Sequence, residues 1–328
     1  MKPSTLKLIS CVSLLSVLVI LMFFLVKDII TFSSLQNFDN ALSVAETQDG
    51  FCTASQTLCV WEPNNGLVPN ASFSTDFNLN TSLVLIDLVG RLEYFTDAPV
   101  TSPPNFTLVK TLQSPDSPIF CGMWTNSNNL YIIFRGTKTQ AEWSKDLQTN
   151  QDAIIPGELQ PLQKSWSGHA VSNDIILVHS GFLDVFQEFE VAIQTVINEI
   201  QPQNVYIAGH SLGAGVSQLA GMQYFDQGIP LVVYAFASPL VGNDAFAASV
   251  KANYVVHTIS NRDDLIPLVP LNVMPNFSGD HSPYIYARAG TDHLFSTNWE
   301  SWKNNHNIPI YINCLSNNTT CQLTTIVN

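Results

Sequence analysis

The chain has 328 residues, 46% of them apolar and 12% charged, with 26 acidic against 13 basic side chains and a formal net charge of −13. Disordered chains combine low hydrophobicity with dense charge, so this composition predicts a folded protein with a sizeable core. The acidic balance and the lack of a Lys/Arg cluster count against binding to nucleic acid or to an anionic membrane surface through a basic patch.

Leu8 to Val26 forms an uninterrupted uncharged run, preceded by Lys2 and Lys7 and ended by Lys27. Such a run is long enough to span a bilayer and exceeds the apolar core of most cleaved signals. Basic residues on its N-terminal side predict a cytoplasmic N-terminus and a luminal or extracellular remainder. A cleaved signal, which would release the protein, is the alternative. Residues 1–30 are therefore read as a signal-anchor or signal sequence. Acceptor triplets for N-glycosylation begin at Asn70, Asn80, Asn105, Asn276, Asn317 and Asn318, in keeping with that compartment. Cys52, Cys59, Cys314 and Cys321 form two close pairs suited to oxidising conditions, with three connectivities open. Cys121 reads as a buried free thiol.

Residues 31–118 read as a wrapping segment of the same domain as the 119–328 core, with a helix expected from Ser82 to Phe95 whose Leu83, Leu85, Ile86, Leu88 and Leu92 pack inward. Ile119 to Trp124 and Leu130 to Phe134 flank Asn126-Ser127-Asn128-Asn129, as a β-hairpin would. Continuous apolar runs follow at Ile175–Val178, Val205–Ala208, Leu231–Phe236 and Tyr254–Ile259, the texture of strands buried on both faces. Helical patterns between them, such as Phe189, Ile193, Val196 and Ile200, predict an α/β fold with a mostly parallel central sheet flanked by helices.

Val205–Ala208 runs straight into Gly209-His210-Ser211-Leu212-Gly213 and then a helical pattern. A G-x-S-x-G sequence in a strand-to-helix turn exposes a serine hydroxyl as a nucleophile, and the glycines allow strand and helix to approach closely. A serine needs a histidine base, and the histidine needs a carboxylate to hold its tautomer. Asp263 and Asp264 follow the strand ending at Ile259, at the rim where the acid belongs. His293 and His306 follow Asp264 by 29 and 42 residues, and spacing leaves both open as the base.

Several ordered motifs resemble the class 3 lipase family of α/β-hydrolases. They are Ile133-Phe134-Arg135-Gly136-Thr137, Val178-His179-Ser180-Gly181-Phe182, the Gly209 to Gly215 turn, Phe236 to Asn243 with Phe246, and Asp264-Leu265-Ile266-Pro267. The resemblance implies an α/β-hydrolase fold and lipid-ester hydrolysis by Ser211, Asp264 and His306. His306 is favoured because it opens a segment similar to the family's HNxxxY ending, and His281 matches a structural HSxP segment. Asp263 is then expected to be a solvated neighbour. The resemblance also implies oxyanion donors at Thr137 and Leu212. A lid around Ala141 to Leu147 would set Trp143, Leu147, Ile154 and Ile155 against lipid, with core packing of these residues as the alternative. No cofactor, metal or obligate protein partner is implied. The partners are a lipid ester at a membrane or aggregate surface and the bilayer holding the N-terminal run. Phospholipase A1 and short-chain carboxylesterase activities are alternatives, and a catalytically silent membrane-anchored binding protein is a further one.

Overall fold

The computed structural model describes residues 63–64, 66–67, 72–94, 99–114, 118–139, 150–155, 175–276, 282–297, 302–316 and 322–327, all within the unit Trp61–Asn328. The apolar run 8–26, Cys52, Cys59, Cys321, Trp143, Leu147 and His281 lie outside them. Among the described residues no helix is long and apolar enough to cross a membrane.

Helix α1 (Leu79–Tyr94) begins earlier than its apolar pattern predicts because Asn78 caps it. The Asn78 side chain accepts the Thr81 N–H at 2.9 Å, satisfying a donor that has no partner within the helix. Leu85, Ile86, Leu88 and Leu92 are fully buried, whereas Leu83 stays partly exposed. The same helix buries an Asp87–Arg91 ion pair at 2.8 Å. The Asn64 N–H donates to Asp87 and Arg91 Nη1 donates to the Thr101 hydroxyl, which helps offset the cost of taking both charges out of water.

Strands β1 (Thr107–Leu112), β2 (Cys121–Asn126) and β3 (Asn129–Phe134) follow. The β2–β3 hairpin is the predicted one and turns at Ser127 in the left-handed region, φ 53°. Next come β4 (Gln151–Ile154) and β5 (Ile176–His179), then helix α2 (Ser180–Ile200), β6 (Asn204–His210), α3 (Leu212–Tyr224), β7 (Leu231–Phe236), α4 (Asp244–Asn253) and β8 (Val255–Asn261). The chain ends through β9 (Val273–Met274), β10 (Tyr284–Ile285), β11 (Thr291–Phe295), α5 (Trp302–His306), α6 (Ile308–Ser316) and β12 (Thr324–Val327).

The main sheet has the order β1-β2-β3-β6-β7-β8-β11-β12. Its central strands β3, β6, β7, β8 and β11 are parallel, and the outer pairings are antiparallel. The Ile175–Val178 run does not join the central sheet but pairs antiparallel with β4 in a two-stranded sheet, with Ile154 opposite Ile176. That pairing buries Ile154 to 3% exposure, so it is a core residue and not a lipid contact; Ile155 remains 46% exposed.

One face of the main sheet packs Ile132, Phe134, Val205, Ile207, Val233 and Val256 against the apolar stripe of α2 and against α3. Side chains alternate across a strand, so Tyr131, Tyr206, Tyr234, His257 and His293 line the other face. There Phe73 and Phe77, just upstream of α1, close over them: Phe77 stacks on His293 with centroids 3.6 Å apart. Cys121 is a buried free thiol whose pKa burial pushes up, and Cys314 is disulfide-bonded.

Candidate active site

Parallel pairing brings the C-terminal ends of β6 and β8 to one edge of the sheet. At the first of these ends β6 stops at His210, and α3 begins at Leu212. Between them Ser211 adopts φ 57° and ψ −124°. A non-glycine residue in such a region costs about 1–3 kcal/mol, so the surrounding structure must hold it there. The Ser211 N–H donates to Phe236 O at 3.0 Å, and its carbonyl accepts from Ala214 at 2.9 Å. The flanking glycines are steric requirements. A Cβ on Gly209 would sit 2.1 Å from Gly213 O, and one on Gly213 would sit 2.3 Å from Arg135 O.

Beyond β8, Asp264 is 1% exposed. Its Oδ1 accepts the Ile266 N–H at 2.9 Å, and its Oδ2 accepts the Tyr311 hydroxyl at 2.9 Å. His306, at the end of α5, places Nδ1 2.7 Å from the same Oδ2 and Nε2 2.9 Å from Ser211 Oγ. An ionised carboxylate only accepts, so the His306 proton sits on Nδ1 and the Nε2 lone pair faces the serine hydroxyl. Tyr311 is held as a neutral donor because burial and the neighbouring Asp264 charge both push its pKa well above the usual value. The turn that carries His306 is tied to β8 by Asn261, whose Nδ2 donates to Thr297 Oγ1 at 2.8 Å and to Asn305 O at 3.1 Å.

The loop after β3 is anchored by Arg135, fully buried over the Phe120 ring. Its Nη1 donates to Gly136 O at 2.5 Å and its Nε to Ile119 O at 2.7 Å, which fixes the chain just before half-buried Thr137. Leu212 opens α3, so its N–H belongs to the first turn of a helix, where negative charge is favoured.

Residues 131–274 match a family model described as lipase (class 3). That stretch, somewhat under half of the chain, is similar to the class 3 lipase family. It is 28% identical over 196 residues to the chloroplastic phospholipase A(1) DAD1 of Arabidopsis thaliana, covering 50% of this chain and 42% of the relative. It is 32% identical over 98 residues to secreted mono- and diacylglycerol lipase 1 of Fusarium solani, covering 28% and 29%. It is 28% identical over 160 residues to the lipase of Rhizomucor miehei, covering 44% and 38%. In each comparison the match covers less than half of the relative's length.

The structure thus brings Ser211, Asp264 and His306 together and sets Thr137 and Leu212 on the two segments flanking the serine. His306 itself lies outside the stretch matched to the class 3 lipase family, so its position rests on geometry. His293 lies elsewhere: both its ring nitrogens are engaged, by His257 Nδ1 at 3.1 Å and Thr325 Oγ1 at 3.2 Å. Asp263 is more than a solvated neighbour, because its Oδ2 accepts from Ser296 Oγ and, at 3.0 Å, from the Thr297 N–H. Sequence reasoning gave no role to Tyr311, although it closes the His306-Asn307-Ile308-Pro309-Ile310-Tyr311 segment. It also passed over Glu93, whose Oε2 accepts the Gly136 N–H at 3.2 Å, and no local signal marks that residue.

Proposed function

We propose that the protein is a class 3 lipase that hydrolyses carboxylic esters of lipids through an acyl-serine intermediate. The observation that carries the reading is a single imidazole bridging Ser211 Oγ at 2.9 Å, on the strand-to-helix turn, and Asp264 at 2.7 Å. Ser211 Oγ attacks the ester carbonyl while His306 Nε2 takes its proton. Asp264 stabilises the resulting imidazolium, and the oxyanion is met by Thr137 and the Leu212 N–H. His306 then protonates the departing alcohol, and water repeats the cycle on the acyl-enzyme. Donors so placed act on charge that exists only in the transition state, and each contributes on the order of 3 kcal/mol.

The favoured substrate is a triacylglycerol-like ester, and we infer from the resemblance that Trp143 and Leu147 contact lipid. A phospholipase A1 reading has support from the match to the Arabidopsis thaliana enzyme, which extends over more of this chain than the match to the Rhizomucor miehei lipase. We further propose that residues 8–26 anchor the protein in a membrane with its catalytic part luminal or extracellular. Labelling by an active-site-directed phosphonate, lost in Ser211→Ala, tests the hydrolase reading, and a folded protein that takes no label would instead be a silent binding protein. A panel of triacylglycerol, phospholipid and short-chain esters assigns the substrate class.

A further inference from the structure

Uncharged polar side chains from three separate stretches of chain meet beside the acid and the base, and the reaction above leaves them unused. Asn261 is the last residue of β8 and 1% exposed, and Thr297 lies just past the end of β11. Asn305, 3% exposed, directly precedes His306 in α5.

Their partners fix which atom donates to which. The Asp263 N–H donates to Asn261 Oδ1 at 3.2 Å, so that atom is the amide oxygen and the amino group faces the other way. From there Nδ2 donates to Thr297 Oγ1 at 2.8 Å and to Asn305 O at 3.1 Å. Having accepted from Asn261, the Thr297 hydroxyl sends its one hydrogen to Asn305 Oδ1 at 2.9 Å. The Thr297 N–H donates to Asp263 Oδ2 at 3.0 Å. The main chain of Asn261 is engaged as well: its carbonyl accepts the Asp264 N–H at 3.1 Å, and its N–H donates to Tyr311 Oη at 3.2 Å. Each donor in this chain of bonds finds an acceptor, the condition under which a buried polar network makes its surroundings rigid.

We propose that Asn261 and Thr297 are positioning residues for the ester hydrolysis described above, holding the turn that carries Asp264 and the turn that carries His306 at the separation their hydrogen bond needs. Asn261 reaches residues 263 and 264 on one side and residue 305 on the other, and Thr297 joins Asp263 to Asn305 by a second route. The bond they protect, His306 Nδ1 to Asp264 Oδ2, is 2.7 Å long. A displacement of about 1 Å within a catalytic constellation can cost on the order of a hundredfold in rate. Asn261 and Thr297 brace the acid and the base rather than the loop after β3 or the start of α3, so their loss should reach kcat and spare KM.

The inference rests on the hydrolase reading, and the experiment separates the two. Phosphonate labelling of full-length wild-type protein is measured first; a folded wild type that takes no label refutes the hydrolase reading and this proposal with it. With labelling established, kcat and KM are measured for Asn261→Ala, Thr297→Val and Thr297→Ser, each kcat being referred to the folded fraction read from urea unfolding of the same protein. Valine keeps the shape of threonine and removes the hydroxyl that links Asn261 Nδ2 to Asn305 Oδ1. The expected result is a kcat lowered by about threefold or more in Thr297→Val and by about tenfold or more in Asn261→Ala, with KM within about twofold of wild type. Thr297→Ser puts the hydroxyl back and should recover most of the loss. A purely structural role would lower the folded fraction and leave kcat per folded molecule unchanged. That outcome in Thr297→Val would overturn the proposal, as would a Thr297→Ser no better than Thr297→Val, or a loss carried by KM. If Asn261→Ala does not fold, the two Thr297 variants alone decide.

Discussion

Acid should unfold this protein through two histidines that take no part in the reaction. His257 and His293 sit on neighbouring strands β8 and β11, 5% and 2% exposed, and hydrogen-bond to each other. Burial first, and then the neighbouring His257, lowers the His293 pKa to about 4 from an ordinary 6.5; burial also lowers that of His257, partly opposed by Thr75 O and Asp76. A histidine depressed in the folded state binds its proton more readily when unfolded. Its contribution is complete above pH 6.5, is lost progressively as the pH falls towards about 4, and levels off below that. The span from 6.5 to about 4, at 1.36 kcal/mol per pH unit, makes this about 3 kcal/mol for His293. Urea unfolding midpoints across pH 7.5 to about 4.5 measure it, with His293→Gln as reference to subtract the carboxylates common to both proteins. Wild type should lose stability more steeply than the variant. Parallel curves between those limits would refute the reasoning.

Other outcomes follow from single contacts. Tyr311→Phe removes a hydrogen bond to the buried Asp264 carboxylate and strands the Asn261 N–H that Tyr311 Oη accepts. A loss of about 2 kcal/mol in urea unfolding is expected, with kcat lowered and KM little affected. Gly213→Ala drives a Cβ into the Arg135 carbonyl, so thermal unfolding should show a destabilisation of about 3 kcal/mol or more. Ser211→Gly relieves the backbone at φ 57° and should raise the melting temperature, a gain of about 1 kcal/mol, while abolishing hydrolysis.

What the sequence reveals here depends on how local the cause is. β6, β7 and β8 are continuous apolar runs because helices or α1 cover both faces, and Ser211 and Asp264 follow directly from the ends of two of them. β11 was hidden because its Thr291-Asp292-His293-Leu294-Phe295 looks polar, yet Asp292 is 9% exposed and bonded to the Thr258 hydroxyl. At β5 an apolar run of four residues says nothing about its partner, and that partner, β4, is polar in half its positions. The choice of His306 over His293 needed a resemblance to be made from sequence. In space it follows from which ring reaches Ser211, a contact set by β11, Asn261 and α6 together. Glu93 and Tyr311 act through partners more than forty residues away, and no window along the chain contains both ends.

The serine and its base lie 95 residues apart, and the base and its acid 42. Every bond in that relay closes a long loop, and the entropy of closing such loops favours late docking of α5 and α6 on the central strands. During renaturation from urea, turnover should therefore return later than far-ultraviolet circular dichroism. The lag would report how slowly the C-terminal helices find their seat.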